Sequence, residues 1–383
     1  MHIDSIRAIA ALLVVMIHCS SAVAPVRPAV LRPANAVDWL IQNLDFGRIG
    51  VVLFFVISGF VIPSSLRDGG RRGEFWVRRV LRLYPAYWVS IAVAVGVHLW
   101  LAGSPWSVRV VLANATMLQG LFHVGDVDGV YWTLKLELAF YAACWVLHRL
   151  GLLRRAWVLE GLATSLLLVF LFYLDYWSGP FGFVRQWIGH GPSAAHAVGS
   201  IAHHPIPGLL NMNWGNFCAY FAAMFTGAAL RRWHDDELGA PGAAGLFAVL
   251  SIWLALLPLL WAIRERQLPD PGLISMFLSM PIAVALFIAL AFVVKIRARL
   301  LALVGMASYS LYLLHPMVLD VVLTLARDAH WHAPAHSTPL LILVCLAPSL
   351  PLAGLLFWTV ERPAIAAGRR WSKSRPAGEP SPG

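Results

Sequence analysis

The sequence predicts an all-α fold, a polytopic membrane bundle of about ten transmembrane helices with both termini cytoplasmic. Its 383 residues are 59% hydrophobic and only 13% charged, where a soluble domain carries about 25% charged residues. Such a chain cannot clothe a globule in polar surface, so most of its outside must face lipid. Apolar runs of about 20 residues, the length needed to cross a bilayer as a helix, recur from end to end. Basic residues gather in short clusters between these runs.

The expected spans are 7–25, 49–66, 84–102, 131–149, 156–174, 214–230, 242–262, 273–294, 300–325 and 338–359. With the N-terminus inside, most Lys and Arg fall in cytoplasmic segments: Arg67 to Arg82, Arg149 to Arg155, Arg231 and Arg232, Lys295 to Arg299, and Arg362 to Arg375. That asymmetry fixes the orientation and explains the net charge of +10 without nucleic acid. Arg7 before an apolar run resembles a signal peptide, and Ala22-Val23-Ala24 mimics a cleavage site. Pro25 obstructs that cut, so the segment is expected to stay as the first helix. Residues 108–122 are apolar, yet a full span there would invert everything downstream, so a re-entrant or interfacial helix is expected. The longest external loop is 175–213. An integral-membrane domain over 1–366 and a polar, disordered cytoplasmic tail over 367–383 complete the organisation. Cys19, Cys144, Cys218 and Cys345 lie scattered in apolar segments, with no CxxC pair. Neither a disulfide nor a metal site is expected.

An ionisable group inside a span costs about 2.5–3.5 kcal/mol on insertion scales, which makes each one a functional candidate. Arg7, His18, Lys135, Glu137 and His315 stand out. Arg7 and His18 are eleven residues apart, three helical turns plus roughly 20°, so they share a face with a rise of about 16 Å between them. A cation at the rim and an imidazole deep in the bilayer suit an anionic donor that inserts its reactive end. The same spacing fits an orienting arginine and a His bonded to a carbonyl. Arg79 and Arg82 are neighbours on one face near the start of the third span, a geometry for clamping phosphate groups. Positive-inside charge accounts for that run equally well. Glu137 near the outer end of its span pairs with Lys135 or His18 by position; beside His18 it would set tautomer and orientation. His315 and Asp320 spell H-x4-D, but five residues along a helix turn the two side chains about 140° apart, so the match is discounted. There is no G-x-S-x-G elbow, Walker A loop or H-E-x-x-H. Acid/base work by His is the simplest chemistry left.

Six segments taken in order resemble the transmembrane acyltransferase family three. They are Asp4-Ser5-Ile6-Arg7 with the Arg-x10-His pair, the Gly50 to Phe60 run, Arg78 to Pro85, Trp132 to Glu137, Ser308 to Pro316, and Val360-Glu361-Arg362-Pro363. Residues 150–300 add little. The resemblance implies O-acylation of surface carbohydrates and related acceptors, with an Arg/His pair essential to transfer and arginines near the CoA phosphates. Carried over, Arg7, His18 and Glu137 are the expected catalytic residues, with His18 as general base or, less favoured, as acyl carrier. Arg78, Arg79, Arg82 and Tyr84 are expected to bind acyl-CoA, with acetyl-CoA the leading donor. Ser58, Trp132, Tyr312, His315 and, on the external loop, Trp187 are expected on the substrate side. Thr133 stands where the family usually has Ser. The expected acceptor is a carbohydrate or glycolipid outside the inner (plasma) membrane. The rival readings are a transporter of a lipid-linked sugar or metabolite and an acyltransferase for an antibiotic or other small molecule.

Overall fold

The computed structural model describes residues 2–23, 44–67, 72–178, 214–235, 237–265, 271–331 and 337–374. Among them there is no strand. The α-helices are α1 (His2–Val23), α2 (Phe46–Arg67), α3 (Arg72–Ala102), α4 (Val108–Ala115), α5 (Trp132–Arg149), α6 (Ala156–Ser178) and α7 (Trp214–His234). They continue with α8 (Ala240–Glu265), α9 (Pro271–Ile288), α10 (Arg299–Met306), α11 (Ser308–Asp328), α12 (Thr338–Leu356) and α13 (Arg362–Ser374). Two π-helical segments, Ala289–Val294 and Phe357–Glu361, prolong α9 and join α12 to α13.

Each expected span lies on a helix, with three instructive differences. The third helix starts at Arg72, ahead of the expected span 84–102, and carries Arg79 and Arg82 on a helix as their spacing implies. The span expected over 300–325 breaks at Ala307 into α10 and α11. The last helix runs to Ser374, into the segment expected as disordered tail; residues 375–383 lie outside the described residues. Among the described residues, six helices are long and apolar enough to cross a membrane: Ile3–Ala22, Phe46–Leu66, Gly73–Ala102, Ala156–Tyr173, Ser308–Asp328 and Thr338–Trp371. The others fall short for physical reasons. α5 carries Lys135, Glu137 and Arg149, and α7 is buried along nearly its whole length, so it has no need of a lipid-facing stripe.

The chain forms two compact units that alternate along the sequence: 1–30, 65–134 and 296–383 make the first, and 31–64 with 135–295 the second. In the first, α1 packs against α10, α11 and α12, while α3 packs against α11, α13 and the 357–361 turn. Gly305 of α10 lets its backbone reach the Asp4 carbonyl of α1, where any Cβ would collide. The eight-residue α4 is too short to cross a bilayer core of about 30 Å, and its end is instead fastened to α3. Tyr84 Oη, Tyr87 Oη and Trp88 Nε1, on one face of α3, donate to the carbonyls of Thr116, Asn114 and Ala115 at 2.9, 2.8 and 2.9 Å. The Asn114 carbonyl also accepts from the Met117 N–H at 2.9 Å; at a helix end the last carbonyls lack partners one turn on, and inside lipid no water would supply them. In the loop before α5, Asp128 Oδ1 accepts from the Val130 N–H at 3.0 Å. Burial, with Asp320 and Asp126 nearby, pushes the Asp128 carboxyl up to about 6.

In the second unit α7 packs against α6 and α8, and α8 against α6 and α9. Where α7 meets α2, two glycines approach reciprocally: Gly59 faces the Met224 carbonyl and Gly227 faces the Val56 carbonyl. Small residues at such a crossing let two backbones touch, the main source of helix association in lipid. Gly227→Val drives a side chain into fixed backbone and is expected to destabilise the protein by at least the 1–3 kcal/mol typical of overpacking. Gly96→Ala, with open space at its Cβ, leaves the melting temperature in detergent unchanged; equal melting of both variants would refute the close crossing.

Candidate active site

The first unit buries a set of ionisable and hydroxyl side chains that its sequence scatters over more than 350 residues. α1 presents Arg7 and His18 from one face, with Ala8, Ala10, Ala11, Val14 and Val15 filling the core beside them. Arg7 Nη1 pairs with Asp4 Oδ1 at 3.1 Å across one helical turn. Deeper in, the His18 ring lies against that of His315 on α11, nearly parallel at 14° with centroids 4.8 Å apart. Nδ1 of His18 sits 2.7 Å from Nε2 of His315. His315 is fully buried, and its Nδ1 lies 3.2 Å from the Leu311 carbonyl one turn back.

A second polar knot lies at the 357–361 turn. The wider π-helical turn directs Glu361 inward, 1% exposed, while Trp358 points out beneath the Arg362 guanidinium at 4.1 Å from its ring centre. Ser310 Oγ of α11 donates to Glu361 Oε2 at 2.8 Å. The positive charges of Arg82 on α3 and, more weakly, Arg7 on α1 act on this carboxylate. Glu361 Oε1 is buried with no hydrogen-bond partner. Three helices thus converge on one carboxylate. The sequence reading quoted Glu361 inside a motif but gave it no part in the site; the signal available was a carboxylate within an apolar run, masked by its place near the end of a span.

The residues expected at acyl-CoA divide. Arg79 Nη2 donates to Ser65 Oγ at 2.8 Å, its guanidinium 5.4 Å over the Phe75 ring. Arg78 pairs with Glu74 at 3.5 Å, and Tyr84 caps α4 as described. Arg82 is the arginine whose charge acts on Glu361. On the substrate side, Tyr312 Oη meets Thr133 Oγ1 at 2.8 Å and donates to the Val130 carbonyl at 3.0 Å. Trp132 is half-buried at the start of α5. Trp187 lies outside the described residues.

Glu137 and Ser58 belong to the second unit. Ser58 Oγ donates to Glu137 Oε1 at 3.3 Å, and the Tyr141 hydroxyl, one turn along α5, donates to the same oxygen. Lys135 is 2% exposed. The partners given to Glu137 here are hydroxyls, whereas the sequence expectation offered Lys135 or His18. No group of three or more metal-binding side chains occurs among the described residues.

The profile of the acyltransferase 3 family, described as an acyltransferase domain, matches residues 2–358. Nodulation protein 10 of Rhizobium leguminosarum bv. viciae is 32% identical over 130 residues, 28% of this chain and 35% of that protein. The acyltransferase MdmB of Streptomyces mycarofaciens is 29% identical over 142 residues, 34% of this chain and 37% of that one. A third similar protein, the peptidoglycan O-acetyltransferase OatA of Listeria monocytogenes, is 36% identical over 76 residues, 17% of this chain and 12% of its own. The chain therefore spans about a third or less of the length of these relatives. No solved structure matches it. A profile match that takes in His18, Glu137 and His315 and nearly the whole helical chain shows that the protein belongs to the acyltransferase 3 family.

Proposed function

We propose that the protein is a membrane O-acyltransferase that moves an acyl group, acetyl in the simplest case, from cytoplasmic acyl-CoA to a hydroxyl of an extracytoplasmic carbohydrate or glycolipid. The observation that carries this reading is the His18–His315 pair, two imidazoles 2.7 Å apart inside the helical core of an acyltransferase-family chain. The favoured part for an imidazole there is the base that takes a hydroxyl proton, with acceptance of the acyl group by His18 itself the less favoured alternative. The acceptor oxygen attacks the thioester carbonyl carbon while His18 accepts its proton. The tetrahedral centre then collapses, the C–S bond breaks, and the departing CoA thiolate recovers a proton from the imidazolium.

Arg82 and Arg79 are proposed to receive the CoA phosphates, with Arg7, Arg78 and Tyr84 around them. A bidentate guanidinium suits a phosphate better than any other side chain. Glu137 keeps the part implied by the family resemblance, and Ser58, Trp132, Tyr312 and Trp187 stay proposed on the substrate side. The acceptor class is supported by the names of two relatives, the peptidoglycan O-acetyltransferase of Listeria monocytogenes and the exopolysaccharide production protein ExoZ of Rhizobium meliloti. Family membership favours the enzyme over the transporter. Ten spans across the inner (plasma) membrane with both termini cytoplasmic are proposed from the distribution of basic residues.

Two measurements test this reading. His18→Ala in purified, full-length protein is expected to lower acceptor-dependent CoA release by about 10²–10⁴-fold with thermal stability nearly intact. Activity above about a tenth of wild type would remove His18 as the base. For orientation, a cysteine at Ser193 should react in intact cells with an impermeant thiol reagent. All four native cysteines are buried, which keeps the background low. Labelling only after permeabilisation would put the 175–213 segment, and with it the acceptor, on the cytoplasmic side.

A further inference from the structure

His315 carries more than a contact to substrate: we infer that it is a positioning residue that fixes which nitrogen of His18 acts as base. The inference rests on the proposed role of His18 and starts from α11 itself. Pro316 lies inside this helix and has no N–H. The carbonyl four residues earlier, that of Tyr312, therefore loses its helical donor. The His315 imidazole sits against this interrupted turn, with Nδ1 at 3.2 Å from the Leu311 carbonyl and the Tyr312 carbonyl beside it. A carbonyl only accepts, so this contact is a hydrogen bond when Nδ1 bears the proton. In a neutral ring Nε2 is then bare, and its lone pair points at His18.

The rest follows without freedom of choice. At 2.7 Å from that lone pair, His18 Nδ1 must be the donor. With its proton at Nδ1, the neutral His18 ring keeps its lone pair on Nε2, the nitrogen on the far side from His315. This is the nitrogen proposed to take the acceptor's proton. The arrangement resembles a base oriented by a third group, with a neutral imidazole in the orienting part that the sequence reading gave to Glu137. When His18 takes a proton at Nε2 it becomes an imidazolium, and its Nδ1–H still donates to His315. No proton moves to His315, and no other group has to change charge. The near-parallel rings, 14° apart, hold both imidazoles in one orientation as well.

The experiment uses the full-length protein in lipid nanodiscs. ¹⁵N spectra of histidine-labelled wild type, compared with His18→Asn to identify the His18 signals, should show His18 protonated at Nδ1 and bare at Nε2. His315→Leu is expected to lower kcat by about 10²-fold, at the lower end for acid/base machinery, with the KM for acetyl-CoA changed by less than about threefold. His315→Gln, whose amide oxygen can accept from the same N–H, should restore kcat to within about tenfold of wild type. A His18 ring protonated at Nε2, or a His315→Leu protein with wild-type kcat, overturns the inference. If His315→Leu does not fold, the spectrum and the His315→Gln rate decide. The spectrum does not depend on turnover. A protein with the expected tautomer and no transfer would overturn the proposed activity while upholding the hydrogen-bond assignment.

Discussion

A carboxylate inside an apolar bundle needs polar company, and Glu361 has the Ser310 hydroxyl at 2.8 Å with the charges of Arg82 and, more weakly, Arg7 acting on it. An unpaired charge in hydrocarbon or protein interior costs several kcal/mol, and removing one partner of a buried pair costs about 3–5 kcal/mol. Ser310 of the eleventh helix bonds this carboxylate directly, while Arg82 of the third helix and Arg7 of the first, itself paired with Asp4, act on it by charge. The π-helical turn at Phe357–Glu361 is what aims it inward. Such widened turns occur often at functional sites, because they re-aim one side chain without ending the helix. Here the carboxylate lies in the same unit as the His18–His315 pair. The same packing that keeps water out strengthens every electrostatic contact within.

How far the sequence disclosed this can be judged residue by residue. The spanning pattern was plain, since composition and periodic apolar runs reflect a lipid solvent directly. The common face of Arg7 and His18 was also readable, because eleven residues nearly complete three helical turns. The partner of His18 was not. His315 lies almost three hundred positions away, and a tertiary contact of that range leaves no local signature. The bond of the Tyr84 hydroxyl to the end of α4 was not readable either, since it depends on the fold of 108–122 and not on the arginine run beside it. The break at Ala307 escaped notice because an apolar run continues through it. The helical setting of Arg79 and Arg82 was readable from their spacing, and the helix begins only slightly earlier, at Arg72.

Close backbone approach does for the bundle what hydrophobic burial does for a soluble core. Gly305 against Asp4 in the first unit, and Gly59 with Gly227 in the second, bring helices together where lipid provides no drive for apolar faces to associate. The Asp4 carbonyl met by Gly305 belongs to the residue that pairs with Arg7. Helix packing and the placement of the first candidate catalytic residue are therefore set at the same point.

The central claim is that the buried polar set of the first unit performs acyl transfer and that Glu361 keeps it in order. The most direct test is the rate of CoA release from acetyl-CoA by purified protein in nanodiscs, with a polysaccharide acceptor, for wild type beside Glu361→Gln. The account predicts acceptor-dependent release by wild type and a loss of about tenfold or more in the variant, since an amide keeps the shape but not the charge that orients the arginines. No release by wild type, or equal rates for the two proteins, would contradict it.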